Sequence, residues 1–225
     1  MKLASYAAAA AVALIAAASA SAASAQDVSF NIAATSDYVF RGLSQTDESP
    51  AIQGGVDVTF ESGFYAGAWA SNVDFFDDTD AEVDVYGGYR TEAAGFALDF
   101  GVIGYLYVNE PSGADYNFVE FKAAASRAFG PVTLGAAVYY TPDYSGAIDD
   151  ATYVEANAAW AFADKFTATA AVGNQDLDGF DYTTWNAGVA FALTDKISLD
   201  GRYHDTDVDT PLSDDRFVAS IKYTF

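Results

Sequence analysis

The chain has 225 residues, of which 52% are apolar and 16% aromatic, with 10 Lys and Arg against 32 Asp and Glu and no cysteine. The lack of cysteine excludes a disulfide scaffold, a thiolate metal site and a cysteine nucleophile. A net charge of −22 argues against a nucleic-acid partner, because phosphates require basic residues. The abundance of aromatic and β-branched residues argues against a disordered acidic chain.

The first 25 residues have the pattern of an export signal. Met1-Lys2 gives a positive start, residues 3–20 are almost entirely apolar, and Ala23-Ser24-Ala25 offers the small residues that signal peptidase requires. A transmembrane helix is the alternative, but the run is only weakly hydrophobic and the cleavage site follows it directly. We therefore expect residues 1–25 to be a cleaved signal peptide and residues 26–225 to form one exported domain.

The mature chain alternates apolar and polar residues with a period of two, which is typical of β-strands with two unlike faces. Phe217, Ala219 and Ile221, for example, alternate with Ser220 and Lys222. In chain order, twelve strands are predicted at about 28–41, 51–60, 64–74, 82–91, 96–108, 117–127, 132–141, 153–162, 166–174, 182–193, 197–204 and 216–225.

Two kinds of connection separate these strands. Short turns are expected at residues 61–63, 92–95, 129–131, 163–165 and 194–196, whereas 75–80, 142–150 and 205–215 are longer, acidic loops. Short and long connections are predicted to alternate strictly, so the chain forms a series of hairpins.

Two all-β folds fit this alternation: a soluble sandwich with an apolar core, and an outer-membrane barrel with an apolar exterior. The apolar positions favour the barrel because they carry no charge within the strand bodies, include many Ala and Gly, and place their aromatic residues near strand ends. The final strand also ends on Tyr223 and Phe225, which resemble the C-terminal signal that the barrel assembly machinery reads. We predict a transmembrane, antiparallel, up-and-down barrel of about twelve strands, an even number as in single-chain bacterial barrels.

One segment supports a family resemblance. Asp37-Tyr38-Val39-Phe40-Arg41-Gly42, followed by Ser44-Gln45-Thr46 and Pro50-Ala51-Ile52-Gln53-Gly54, resembles the TorF-type porin-like outer-membrane proteins of proteobacteria. The resemblance implies a barrel in the outer membrane but supplies little chemistry, because a fold alone does not define a function.

The polar positions of the strands are predicted to line the lumen. The candidate pore-lining residues are Arg41, Arg90, Lys122, Arg202, Arg216, Lys222, Asp57, Asp99, Glu120, Glu155 and Asp200. They either form a constriction whose opposed charges select solutes, or pair across the lumen and fill it. The excess of acidic residues predicts enrichment of cations at the outer mouth.

Other candidate sites are weak. His204 lies near Asp200, Ser198 and Ser220, but no flanking motif supports a hydrolase. Asp205, Asp207 and Asp209 begin like a calcium loop, yet Thr210 and Arg216 stand where an EF-hand needs Gly and Glu. The acidic runs at 77–80 and 176–178 are interpreted as solvated loops that bind divalent cations weakly at most.

The sequence therefore predicts an outer-membrane pore for passive passage of small hydrophilic solutes or ions, surrounded by lipid, with no catalytic residue, cofactor or metal. The alternative is a closed structural or adhesive barrel whose acidic loops bind ions, lipid or a partner. A barrel hydrolase built on His204 is a third and weaker hypothesis.

Overall fold

A computed structural model describes residues 26–146 and 148–225. The signal peptide expected at residues 1–25 lies outside the described residues, so its cleavage stays a prediction. The strands are β1 (Gln26–Thr35), β2 (Val39–Phe40), β3 (Leu43–Ser44), β4 (Ala51–Phe60), β5 (Phe64–Asn72), β6 (Ala81–Ala93), β7 (Phe96–Val108), β8 (Phe118–Phe129), β9 (Val132–Thr141), β10 (Ala151–Ala163), β11 (Phe166–Leu177), β12 (Phe180–Ala192), β13 (Ile197–Thr206) and β14 (Arg216–Thr224).

Twelve of these strands form one closed antiparallel barrel. Each pairs with its neighbours in chain order, and β1 pairs with both β4 and β14, which closes the ring. The remaining two, β2 and β3, form a separate two-stranded sheet. The predicted barrel is therefore confirmed and the sandwich is wrong, because a single sheet closes on itself instead of packing on a second one.

The faces of the strands are divided as the alternation predicts. Large apolar side chains on one parity point out of the barrel and are exposed, as for Phe30 on β1, Phe100 on β7 and Ile221 on β14. Their neighbours on the other parity point into the lumen, where Ala33 and Lys222 are each 8% exposed. An apolar exterior around a polar interior is the arrangement of barrels that span a lipid bilayer. Within the described residues, no helix has both the length and the apolar character needed to cross a bilayer.

The two ends of the barrel differ. Both strand termini, Gln26 and Thr224, lie at the end that carries the short turns, which we call the inner end. The longer connections, residues 36–50, 73–80, 109–117, 142–146 with 148–150, and 207–215, lie at the opposite, outer end. In bacterial barrels these ends are periplasmic and extracellular, respectively.

One predicted strand boundary and one predicted connection differ from the structure. The first strand was expected to continue to residue 41, but β1 ends at Thr35 and the chain turns into the lumen. The strict alternation of short and long connections fails between β11 and β12, which extend to a two-residue turn, Asp178-Gly179. Gly179 has φ +89°, a conformation that suits an Asp-Gly hairpin turn.

Candidate functional site

Residues 36–50, which join β1 to β4, fold into the barrel; we call them the inward segment. Its middle forms the small hairpin of β2 and β3, whose tip is Arg41-Gly42. Both tip residues have positive φ, +46° for Arg41 and +85° for Gly42. Glycine tolerates this backbone conformation, whereas arginine is strained in it. A Cβ atom on Gly42 would lie 2.6 Å from Thr184 Oγ1, so the tip is tight against β12.

Polar contacts fix the base of the inward segment. The Asp37 carboxylate accepts hydrogen bonds from the hydroxyls of Ser44 at 2.7 Å and Thr46 at 2.9 Å. Arg216 on β14 donates to the same carboxylate at 3.0 Å and forms an ion pair with it. The Tyr38 hydroxyl donates to Glu82 Oε1 on β6 at 2.7 Å. The base of the inward segment is thereby bound to β14 on one side of β1 and β4 and to β6 on the other.

The tip reaches the opposite wall through Arg41. Its guanidinium donates to Glu120 Oε1 on β8 at 2.7 Å and to Gln175 Oε1 on β11 at 2.8 Å. Its Cζ lies 5.2 Å and 4.3 Å from the ring centroids of Tyr139 on β9 and Tyr153 on β10. In the ring order, β8 to β11 stand opposite β1 and β4, so the inward segment crosses the whole lumen.

At this level, side chains fill the lumen. Every barrel strand contributes an inward residue that is at most 8% exposed: Thr35, Ala51, Ser71, Glu82, Tyr105, Glu120, Thr141, Tyr153, Gln175, Thr184, Thr206 and Val218. The lumen is therefore obstructed at this level, around the inward segment, and some lumen residues nearer the inner end, such as Ser126 and Ala190, are buried as well.

Several predicted pore-lining residues meet in the inner half of the barrel. Asp99 on β7 accepts from Lys122 on β8 at 2.9 Å and from the Tyr65 hydroxyl at 2.7 Å, and Arg90 on β6 lies 3.4 Å from it. The Arg90 guanidinium also lies over the Tyr65 ring, 4.0 Å from its centroid. Gly101 leaves room for Tyr65 against the wall, because a Cβ there would lie 2.7 Å from its hydroxyl.

The other predicted residues form separate groups. Arg202 on β13 is held by Asp200 at 3.1 Å, Asn186 at 2.7 Å and Thr169 at 2.8 Å. Elsewhere, Asp57 accepts from the Tyr86 hydroxyl at 2.6 Å, and Glu155 accepts from Tyr153 and Asn157. Lys222 is 8% exposed on β14.

These pairs decide between the two interpretations of the lumen charges only in part. Arg41 and Glu120 pair across the lumen by way of the inward segment, whereas Asp99 pairs with Arg90 and Lys122, and Asp200 with Arg202, along the wall. A role for any of them in selecting solutes stays a prediction.

Sequence reasoning missed several wall residues that contact the inward segment. Gln175 and Glu82 lie on lumen positions near strand ends, 0% and 2% exposed, and neither was selected as a candidate. Tyr139 and Tyr153 also occupy lumen positions, but their meeting depends on strand register. The one available signal was Gly42, which marks a turn directly after Arg41.

The hydrolase hypothesis lacks its geometry. His204 is 7% exposed and pairs in register with Arg216, whereas Ser220 pairs with Asp200. His204 and Ser220 are thus four residues apart along the strands, about 13 Å, which is too far for the hydrogen bond that a nucleophile and its base need.

The acidic loops at the outer end bind their own backbone and each other. Asp77 accepts from the Thr79 amide at 2.8 Å and from the Tyr116 hydroxyl at 2.8 Å. The hydrogen bonds from Thr79 lower the pKa of Asp77, and the hydrogen bond to Asp77 raises the pKa of Tyr116. Asp207 likewise accepts from the Thr183 amide at 2.7 Å. No group of three or more potential ligand residues that could hold a metal occurs in the described part of the chain.

Charge is distributed very unevenly between the two ends. The outer connections, residues 36–50, 73–80, 109–117, 142–150, 178–179 and 207–215, contain 17 acidic residues and one basic residue, Arg41. The turns at the inner end, residues 61–63, 94–95, 130–131, 164–165 and 193–196, contain three acidic and two basic residues. The outer mouth is therefore strongly negative.

The closed twelve-stranded barrel has the fold of solved outer-membrane porins. The chain superposes on the KdgM porin with a TM-score of 0.64 at 9% identity, over 88% of this chain and 99% of that chain. The NanC porin gives 0.60 at 13% identity over 87% and 98%, and an outer-membrane channel from Pseudomonas putida F1 gives 0.53 at 11% over 90% and 96%.

The family model described as "Bacterial protein of unknown function (Gcw_chp)" matches residues 19–225, and the chain belongs to this family. The narrower TorF-type resemblance stays a prediction. Among curated proteins, no sequence matches the chain.

Proposed function

We propose that the chain is an outer-membrane channel through which small hydrophilic solutes diffuse passively, with the inward segment as its constriction. Residues 1–25 would direct export, and Tyr223 and Phe225 would be read by the barrel assembly machinery. Phe225 is 63% exposed at the inner end, where a partner can reach it. Lipid would surround the exposed apolar band. The likeness to porins supports this proposal at the level of the fold.

The observation that carries the proposal is how the lumen is obstructed. The obstruction is the 15-residue inward segment between two neighbouring strands, held largely by hydrogen bonds and ion pairs. Below it, water reaches the charged wall, since the side chains of Arg90, Asp99 and Asp200 are 53%, 19% and 23% exposed. A lumen filled by the connection between two strands can open by local unfolding of that connection while the barrel stays folded, unlike one filled by a packed core.

The charge of the outer mouth favours cations. Its 17 acidic residues raise the local concentration of cations and repel anions. One KdgM structure is a complex with oligogalacturonate, a sugar polymer that carries carboxylates. The acidic mouth of this chain argues against such a polyanion and for small cations or neutral solutes.

Replacing the inward segment tests the proposal. Thr35 and Ala51 are register partners on β1 and β4, so an Asn-Gly turn in place of residues 36–50 closes the hairpin. We expect the purified variant to conduct in planar bilayers severalfold better than the wild type, with a reversal potential that favours cations in a salt gradient. Silence of both proteins at all voltages would contradict a channel, and preference for anions would contradict the argument from the mouth charge.

A second candidate function is a closed structural or adhesive barrel. It is favoured by the low exposure of inward residues on all twelve barrel strands, from 0% at Gln175 to 8% at Val218. Under this hypothesis the wild type is silent and only the replaced variant conducts. The conductance of the wild type therefore separates the two candidates.

A further inference from the structure

The wall that faces the tip of the inward segment is composed like a site for an organic cation. Glu120 contributes a carboxylate and Gln175 an amide oxygen, both accepting from the Arg41 guanidinium. Tyr139 and Tyr153 present rings to the same group, at 5.2 Å and 4.3 Å from its Cζ. Carboxylates bind guanidinium through charge-assisted hydrogen bonds, and aromatic faces attract cations. We call Glu120, Gln175, Tyr139 and Tyr153 the far-wall site.

Contacts within the wall arrange this site independently of the inward segment. The Glu120 carboxylate accepts from the Tyr105 hydroxyl at 3.0 Å and lies 3.4 Å from the Thr141 hydroxyl. The Gln175 amide donates to the carbonyl of Asp176 at 3.3 Å, which leaves its oxygen turned to the guanidinium. The acceptors would thus stay in place if Arg41 withdrew.

Arg41 itself has the features of a tethered occupant. The outer connections contain 17 acidic residues, and Arg41 is their one basic residue. Its backbone has φ +46°, which is unfavourable for a residue with a side chain, so the contacts of the guanidinium outweigh local strain. It reaches the far-wall site from the opposite side of the barrel.

We infer that the far-wall site binds guanidinium-bearing solutes, and that Arg41 occupies it as an internal substitute for such a solute. The inference deepens the proposed function, on which it rests for the route by which the solute arrives, through the cation-enriched mouth. A short tether gives Arg41 an effective concentration on the order of millimolar, so a free solute competes only at millimolar local concentration.

Calorimetric titration with guanidinium chloride tests the binding directly, in detergent and at millimolar, non-denaturing concentrations. Arg41→Gly empties the site and removes the backbone strain, because glycine tolerates the positive φ at this position. We expect saturable binding to Arg41→Gly in the millimolar range, and binding at least tenfold weaker to the wild type. Urea, which is neutral but similar in shape, and sodium chloride at equal ionic strength are the ligand controls and should not bind.

Two further variants identify the site. R41G/E120Q, which removes the carboxylate charge, and R41G/Y153L, which removes one ring, should each bind guanidinium at least severalfold more weakly than R41G. R202A empties a different lumen arginine site, made by Asp200, Asn186 and Thr169, and should gain no comparable binding. Folding of each variant is checked by heat-modifiable migration in gels. If either R41G/E120Q or R41G/Y153L does not fold, the other still tests the site. Equal binding to wild type and R41G, equal binding to R202A, or equal response to urea would overturn the inference.

Bilayer recordings separate this inference from the proposed function. R41G should conduct more than the wild type, and millimolar guanidinium should return its conductance toward the wild-type level while sodium does not. If the wild type, R41G and the variant lacking residues 36–50 all fail to conduct, the channel proposal fails. The titration still decides whether the far-wall site binds guanidinium. Conduction by R41G without any guanidinium binding overturns only the inference.

Discussion

Replacing Glu120 by leucine should loosen the inward segment, because it leaves the Arg41 guanidinium buried without its counter-charge. The two side chains are 6% and 1% exposed, so water screens the pair very little. Breaking a buried ion pair by removal of one partner costs about 3–5 kcal/mol. Since 1.4 kcal/mol is a factor of ten, the segment should open at least about 100-fold more often in Glu120→Leu than in the wild type, up to the point where it is mostly open.

Hydrogen exchange measures this opening directly. The amides of Ser44 and Gln45 donate within the segment's contacts, to the carbonyls of Leu212 at 2.8 Å and Tyr38 at 2.7 Å, and exchange only when these bonds open. Both amides should exchange at least about 100-fold faster in Glu120→Leu.

A double replacement and a matched control complete this experiment. R41M/E120L substitutes apolar side chains for both charges, and protection should return to within about tenfold of the wild type. Asp57→Asn changes a lumen carboxylate that binds Tyr86 instead of the segment, and should leave the two amides unchanged. Protection in Glu120→Leu within about threefold of the wild type would refute the view that this ion pair holds the segment closed.

Two further predictions concern the tip and an outer loop. Gly42→Ala places a Cβ 2.6 Å from Thr184 Oγ1 at φ +85°, so it should displace the tip of the inward segment and raise the conductance. Gly146→Ala is the control: its φ is +78° but it has open space around it, so it carries only backbone strain and should leave the conductance unchanged. Because the pKa of Asp77 is lowered in the folded chain, its contact with Tyr116 is fully present above the ordinary aspartate range and is lost as the pH falls below it. Titration of the Tyr116 ring signals by NMR should show this loss on acidification, and Asp77→Asn should abolish the pH dependence; an acid-insensitive wild type would contradict it.

The closed barrel and its two faces were predictable because they depend on a local pattern. A period of two over each strand, together with uncharged apolar positions, specifies which side chains face out of the barrel, whatever the neighbours are. The end of β1 was not predictable in this way, because Tyr38 and Phe40 continue to alternate with Asp37 and Arg41 past Thr35. Pro50 was the overlooked signal: it has no amide to donate, so β4 begins at Ala51 and its register partner Thr35 ends β1.

The candidate site was less accessible to sequence reasoning for a different reason. Whether Arg41 meets Glu120 or another acid depends on how far the inward segment crosses the lumen and on the register of strands remote in sequence. Such contacts are set by the geometry of the whole ring, and no local pattern encodes them. Asp200 and Arg202 could be paired from their spacing alone, since alternate residues of one strand share a face.

The residues that carried the family resemblance now have a physical meaning. Asp37, Tyr38, Arg41, Ser44 and Thr46 of that motif make the contacts that hold the inward segment across the lumen. A barrel wall needs only alternation and register, which many sequences satisfy, whereas a segment that spans the lumen needs particular donors and acceptors at particular positions. It follows that the wall specifies the fold. Under the proposed channel function, differences in solute selectivity among proteins of this fold should be sought first in the inward segment and in the wall residues it touches.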